Sequence, residues 1–177
     1  MKKDLMKTML LMLCAMFAFT FTACSDDDDP ADDAATQVAG SYSGDLEVFM
    51  GGESLTTAQK TISLTRKTAT TVDLVINNFT LDIPNIGSVD LGNVTIDCSL
   101  TESGNGYMVA GTILLPNVTV PVENSEEPLV VDCTVTLNGA TVNGTTFNMP
   151  LTIGVMYGDI DFGMLVGGIT ATFTGTK

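Results

Sequence analysis

Residues 37–177 of this 177-residue chain predict an all-β domain. The expected form is a single antiparallel β-barrel of about eight to ten short strands, with a β-sandwich as the alternative. Three observations carry that expectation. Apolar and polar residues alternate with a period of two over several stretches, which puts one set on each face of a sheet. Gly and Asn pairs fall between those stretches, where hairpin turns need residues tolerant of positive φ. No convincing helical pattern interrupts them. A closed barrel also removes sheet edges, a hazard for a chain rich in Val and Thr.

The chain opens on a segment with the parts of an export signal. Lys2, Lys3 and Lys7 form a positive start, Met9 to Phe21 is apolar, and Ala23 precedes Cys24. The apolar run is shorter than the roughly 20 residues of a spanning helix and is followed by aspartates. Phe21-Thr22-Ala23-Cys24 looks like a bacterial lipoprotein processing site. The expectation is removal of residues 1–23, including Cys14, and lipidation of Cys24, whose several acyl chains would anchor the protein stably to a membrane. Residues 24–36 then form a lipidated Cys and an acidic tether with almost nothing to bury. Within it, Ser25-Asp26-Asp27-Asp28-Asp29 resembles the acidic signal that sends lipoproteins of Bacteroides-type bacteria to the cell surface. An outer-membrane lipoprotein exposed on the surface is the implied location.

Strands are expected in order near Tyr42 to Phe49, Thr57 to Arg66 and Thr71 to Ile76. They continue at Val94 to Thr101, Tyr107 to Leu115, Val118 to Val122 and Leu129 to Leu137, then Thr145 to Val155 and Ile169 to Phe173. Gly51-Gly52, Gly104-Asn105-Gly106, Asn138-Gly139 and Asn143-Gly144 supply turns between them. The alternation sends Val72, Leu74, Ile76, Ile96, Val131, Val135, Phe147, Met149, Leu151 and Ile153 inward. Their branched side chains should interlock mid-barrel, so that any pocket should be shallow and near one rim, where Tyr107, Tyr157 and the Gly-rich segments stand.

Charge and composition exclude several functions. Loss of residues 1–23 leaves four basic residues, Lys60, Arg66, Lys67 and Lys177, against twenty acidic ones, a net charge of −16. Nucleic-acid binding is disfavoured, since affinity for phosphates comes largely from Lys and Arg. The chain has no His, so Ser-His-Asp and Cys-His catalysis and imidazole-dependent metal sites are absent. Asp159 and Asp161 flank Ile160 but read as a solvated turn beside glycines, as does Glu126-Glu127. No catalytic residue, cofactor or metal is expected. Cys98 and Cys133 both point with the aliphatic set. They form a disulfide if their strands are neighbours, with Cα atoms about 4.4 to 6.8 Å apart; otherwise each is a small buried hydrophobe.

Four stretches carry a family likeness. These are Val38-Ala39-Gly40-Ser41-Tyr42-Ser43-Gly44-Asp45-Leu46, Leu74 to Leu81, Ile86-Gly87-Ser88-Val89 on to Asn93-Val94-Thr95, and Ala171-Thr172-Phe173-Thr174-Gly175-Thr176-Lys177. On these the chain resembles the calycin-like lipoproteins of Bacteroides-type bacteria, small lipobox proteins with a lipocalin-related barrel. The resemblance implies a barrel with an apolar cavity and brings no activity that could be placed on residues here. Two readings follow. One is a non-enzymatic binding module for a small hydrophobic molecule or a glycan; the other is a structural or adhesive surface protein with a filled barrel.

Overall fold

The period-two alternation closes on itself in the computed structural model, which describes residues 33–83, 87–121, 127–162 and 167–177. A short helix, α1 (Ala34–Val38), precedes strands β1 (Gly40–Met50), β2 (Glu53–Arg66), β3 (Thr71–Ile83), β4 (Gly87–Ser103) and β5 (Gly106–Val120). They are followed by β6 (Leu129–Leu137), β7 (Ala140–Asn143), β8 (Thr146–Tyr157), β9 (Ile160–Asp161) and β10 (Ile169–Thr176). From β1 to β6 each strand pairs antiparallel with the next, and β10 pairs with both β8 and β1. This double pairing decides between the two expected architectures. Leu46 faces Phe173 across one seam and Leu151 faces Ala171 across the other, so the main strands close into a barrel rather than a sandwich.

β6 and β7 act as one interrupted strand. Both pair with β5 on one side and β8 on the other, so the barrel has eight staves. The expected hairpin turn at Asn138-Gly139 is instead a kink within that stave. Gly139 takes φ 72° there, and the Asn138 amide donates to the Pro150 carbonyl at 3.0 Å. The two short strands expected near Tyr107 to Leu115 and Val118 to Val122 likewise join in β5 as far as Val120, and Val122 lies outside the described residues. The register slips between Leu115 and Val118, where Asn117 has φ 57°, as a bulge requires.

All ten side chains expected to point inward are buried. Large rings occupy one half of the barrel: Tyr42 packs on Phe147 at 5.2 Å and Phe147 on Phe173 at 6.1 Å between ring centroids. Among the described residues no buried side-chain N or O lacks a hydrogen-bond partner, so the interior is an apolar core without stranded polar groups.

Candidate ligand-binding cavity

The two ends of the barrel differ. One end gathers the starts of β1, β3, β5 and β8 and the ends of β2, β4 and β10, and α1 lies across it. Ala35 and Val38 of α1 are buried, although the sequence gives no helix there and its first residues fall in the predicted tether. A single turn has too few residues to show a period. Its start is fixed by Asp33, which accepts from the Thr36 amide at 2.7 Å and from the Arg66 guanidinium at 2.8 Å. Arg66 and those hydrogen bonds hold the Asp33 carboxyl down at about 2. At the other end of α1, Lys177 donates to the carbonyls of Gln37 and Ala39 and lies 5.4 Å from the Tyr42 ring centre. A cation on the last carbonyls of a helix is favourably placed. The Tyr42 hydroxyl donates to Val38 at 2.6 Å, and burial pushes that phenol up to about 12. The helix is therefore a latched plug.

The opposite end is lined by smaller side chains. Met50, Leu81, Ile83, Val89, Val120, Leu129, Val131, Cys133, Val155, Phe162 and Ile169 surround a partly enclosed cavity of about 280 Å³. Every wall side chain is a hydrocarbon, a thioether or a thiol. The inward positions here are mostly aliphatic, with Phe162 the one ring in the wall, whereas Tyr42, Phe147 and Phe173 fill the other half. Its rim is tied together where the Gly51 amide donates to the Gly168 carbonyl at 3.0 Å. A Cβ on Gly167 would come within 2.9 Å of the Gly51 Cα, so this crossing needs glycine.

Tyr157 ends β8 at this rim, 46% exposed, and its ring stands edge-on to Phe162 at 6.2 Å. Tyr107, expected at the same rim, is at the plugged end, where its hydroxyl donates to the Gln37 side chain at 3.1 Å. It starts β5, which runs toward the cavity, whereas Tyr157 ends β8, which runs the same way. Alternation alone does not assign an end to a residue. Nine wall residues, Met50, Leu81, Ile83, Val89, Val120, Leu129, Val155, Phe162 and Ile169, were not singled out from the sequence as binding residues. Following inward parity to the strand ends would have found most of them.

The disulfide expectation is corrected. Cys98 and Cys133 are free and buried. Cys98 lies on β4 opposite Gly111 and Cys133 on β6 opposite Leu115, so β5 separates them. Burial pushes their thiols up to about 12 and about 11. Cys133 is part of the cavity wall; Cys98 is not. Asp159 occupies the turn after β8, and Asp161 lies on β9, where it pairs with Met156. Cys24, Ser25, Asp26, Asp27, Asp28, Asp29 and Glu126 lie outside the described residues. Among the described residues no group of His, Cys, Asp or Glu could hold a metal ion, and no helix is long and apolar enough to cross a membrane.

Comparison with solved structures finds a "putative outer membrane protein" from Bacteroides fragilis at TM-score 0.51 and 21% identity. The match covers 81% of this chain and 52% of that one, so this chain spans about half the length of its structural neighbour. At that identity the likeness concerns the fold. No curated protein matches the chain. The model of the calycin-like β-barrel domain matches residues 38–176, the whole run from the end of α1 through β10. With the closed eight-stave barrel, this places the chain in the calycin-like β-barrel domain family.

Proposed function

We propose that the protein is a non-enzymatic binding module, held on the cell surface by a lipid on Cys24, that takes a small hydrophobic molecule into the end of its barrel. The single observation that carries this reading is the apolar cavity of about 280 Å³ at one end of the barrel. Its size lies just below the roughly 300 to 1,000 Å³ usual for small-molecule pockets, so the ligand is small. A calycin-like barrel and an outer-membrane description for the structural neighbour fit a binding role at the cell envelope. A glycan suits the cavity poorly, since its hydroxyls would lose water and find no partner in the wall. A filled structural barrel would have no such space.

The mature chain carrying Cys24→Ala keeps every described element and removes the lipid as a competing apolar phase. Titration with the uncharged dye N-phenyl-1-naphthylamine should show saturable fluorescence enhancement at one site per chain. Absence of saturable binding would return the structural or adhesive reading. Two further variants test the location. In cells, Cys24→Ala should leave a soluble or unprocessed form, and a variant still cleaved after Ala23 and membrane-bound would overturn the lipid anchor; joint replacement of Asp26, Asp27, Asp28 and Asp29 by Ala should keep the lipid but lose labelling on intact cells.

A further inference from the structure

We infer that the cavity selects cationic amphiphiles: a small apolar body inside the barrel end, with an ammonium-type head at the mouth, beside its rings and in the field of the carboxylates around that end. This deepens the binding reading above and rests on it. The wall offers no hydrogen-bond donor or acceptor stronger than a thiol, so an ionised head cannot enter the cavity without a large desolvation cost. It must stay at the barrel end, and the groups found there decide which sign of charge is accepted.

Those groups are acidic. Glu53 is the register partner of the wall residue Met50. Asp82 lies between the wall residues Leu81 and Ile83, and Asp90 follows Val89. Asp132 lies between Val131 and Cys133, and both Asp132 and Asp161 pair across to Met156. Asp159 occupies the intervening turn. By strand parity Asp82, Asp90 and Asp132 point outward from the barrel, as does Asp161 through its pairing with Met156, so these carboxylates act through the field rather than by contact. Beyond residue 23 the chain has four basic residues, and none is at this end. Arg66, Lys67 and Lys177 belong to the plugged end, engaged with Asp33, with Asp73 and Asp97, and with the α1 carbonyls. Lys60 is mid-barrel opposite Gly44, donating to the Asn78 carbonyl. Charge is thus segregated along the barrel axis. A low-dielectric cavity flanked by one sign of charge concentrates ligands of the other.

An independent feature points the same way. Phe162 lines the cavity and Tyr157 stands edge-on to it at the rim, with nearly half its surface open. Aromatic faces attract alkylammonium groups through the ring quadrupole. A fatty carboxylate of the same length would meet the same rings and carboxylates with the unfavourable sign.

The test uses the mature chain with Cys24→Ala and three probes of equal chain length below their micelle concentrations: decyltrimethylammonium, decanol and decanoate. At low salt, decyltrimethylammonium should bind more tightly than decanoate by on the order of tenfold, with decanol between them and the spread narrowing as salt is added. Joint replacement of Asp132, Asp159 and Asp161 by Asn should lower the ammonium-to-decanol affinity ratio several-fold. Filling the wall with Val155→Trp should weaken all three probes. Decanoate binding as well as the ammonium probe overturns the inference and leaves the binding reading intact. So does ammonium binding that ignores Val155→Trp and exceeds one per chain, which marks surface counterions. Failure of all three probes to bind overturns both.

Discussion

Cys98 and Cys133 face one interior but are held apart by β5, on which their register partners Gly111 and Leu115 lie four residues from each other. Two strand spacings of about 4.8 Å already exceed the Cα separation a disulfide permits. The mature chain should therefore alkylate at both interior thiols after unfolding without reductant, and an intact mass two hydrogens lighter would contradict the structure. In the native state both should resist charged reagents, because burial holds the thiols at about 12 and about 11 and leaves almost no thiolate at neutral pH. Small uncharged reagents should modify Cys133 before Cys98, since only Cys133 borders the cavity.

Much of the barrel was legible in the sequence because one physical rule, the two-residue period, governs which side chains are inside. It placed Val72, Leu74, Ile76 and the Phe147 to Ile153 series in the core, where the structure finds them. The rule is blind to which strands are neighbours. That is why a bond between Cys98 and Cys133 was conceivable and why Tyr107 and Tyr157 were grouped at one rim. It also treats any Asn-Gly as a turn, whereas Asn138-Gly139 kinks a stave that keeps both neighbours. The cavity depends on side-chain size at matched heights around the barrel, which emerges only once register is known.

Tyr42→Phe should destabilise the barrel by about 1 to 2 kcal/mol, the cost of leaving the buried Val38 carbonyl without the hydroxyl that now donates to it at 2.6 Å. The ring itself remains, so packing on Phe147 and the Lys177 contact are kept. Urea unfolding should show a lower midpoint with an unchanged slope, and ligand binding at the far end should be unaffected. A midpoint equal to that of the parent would mean that α1 does not depend on this hydroxyl.

Asp33 makes the plug sensitive to acid. Its carboxyl falls from the ordinary 3.8 to about 2 in the folded chain, chiefly through the hydrogen bond from Arg66. A depressed folded value means that the ionised form stabilises the fold above about pH 4, and that this contribution fades as pH drops from 3.8 toward 2. Asp33→Asn retains an acceptor for the Thr36 amide but removes the charge facing Arg66. Its stability deficit relative to the parent should be present at neutral pH, shrink as pH falls below about 4 and vanish only below about pH 2 in unfolding curves taken across that range. Arg66→Gln should give a deficit with the same pH profile, and the double variant should show less than the sum of the two. A pH-independent deficit would assign Asp33 a purely capping role.

Bulk added to the barrel should have opposite consequences at its two levels. Val155 is half-buried and borders the cavity, so a Trp side chain there has space to enter. Val155→Trp should leave thermal stability near that of the parent or above it while weakening ligand binding at least tenfold. Leu151 lies four residues earlier on the same strand and is paired with Leu137 and Ala171. It is 2% exposed and outside the cavity wall. Leu151→Trp has no space to fill and should cost about 1 to 3 kcal/mol of stability through overpacking, with the surviving folded protein still binding. Calorimetry of both variants, paired with titration of the apolar dye, separates the two levels. Loss of binding in Leu151→Trp with full stability would place the ligand deeper than the wall described here and shift the site toward the barrel middle.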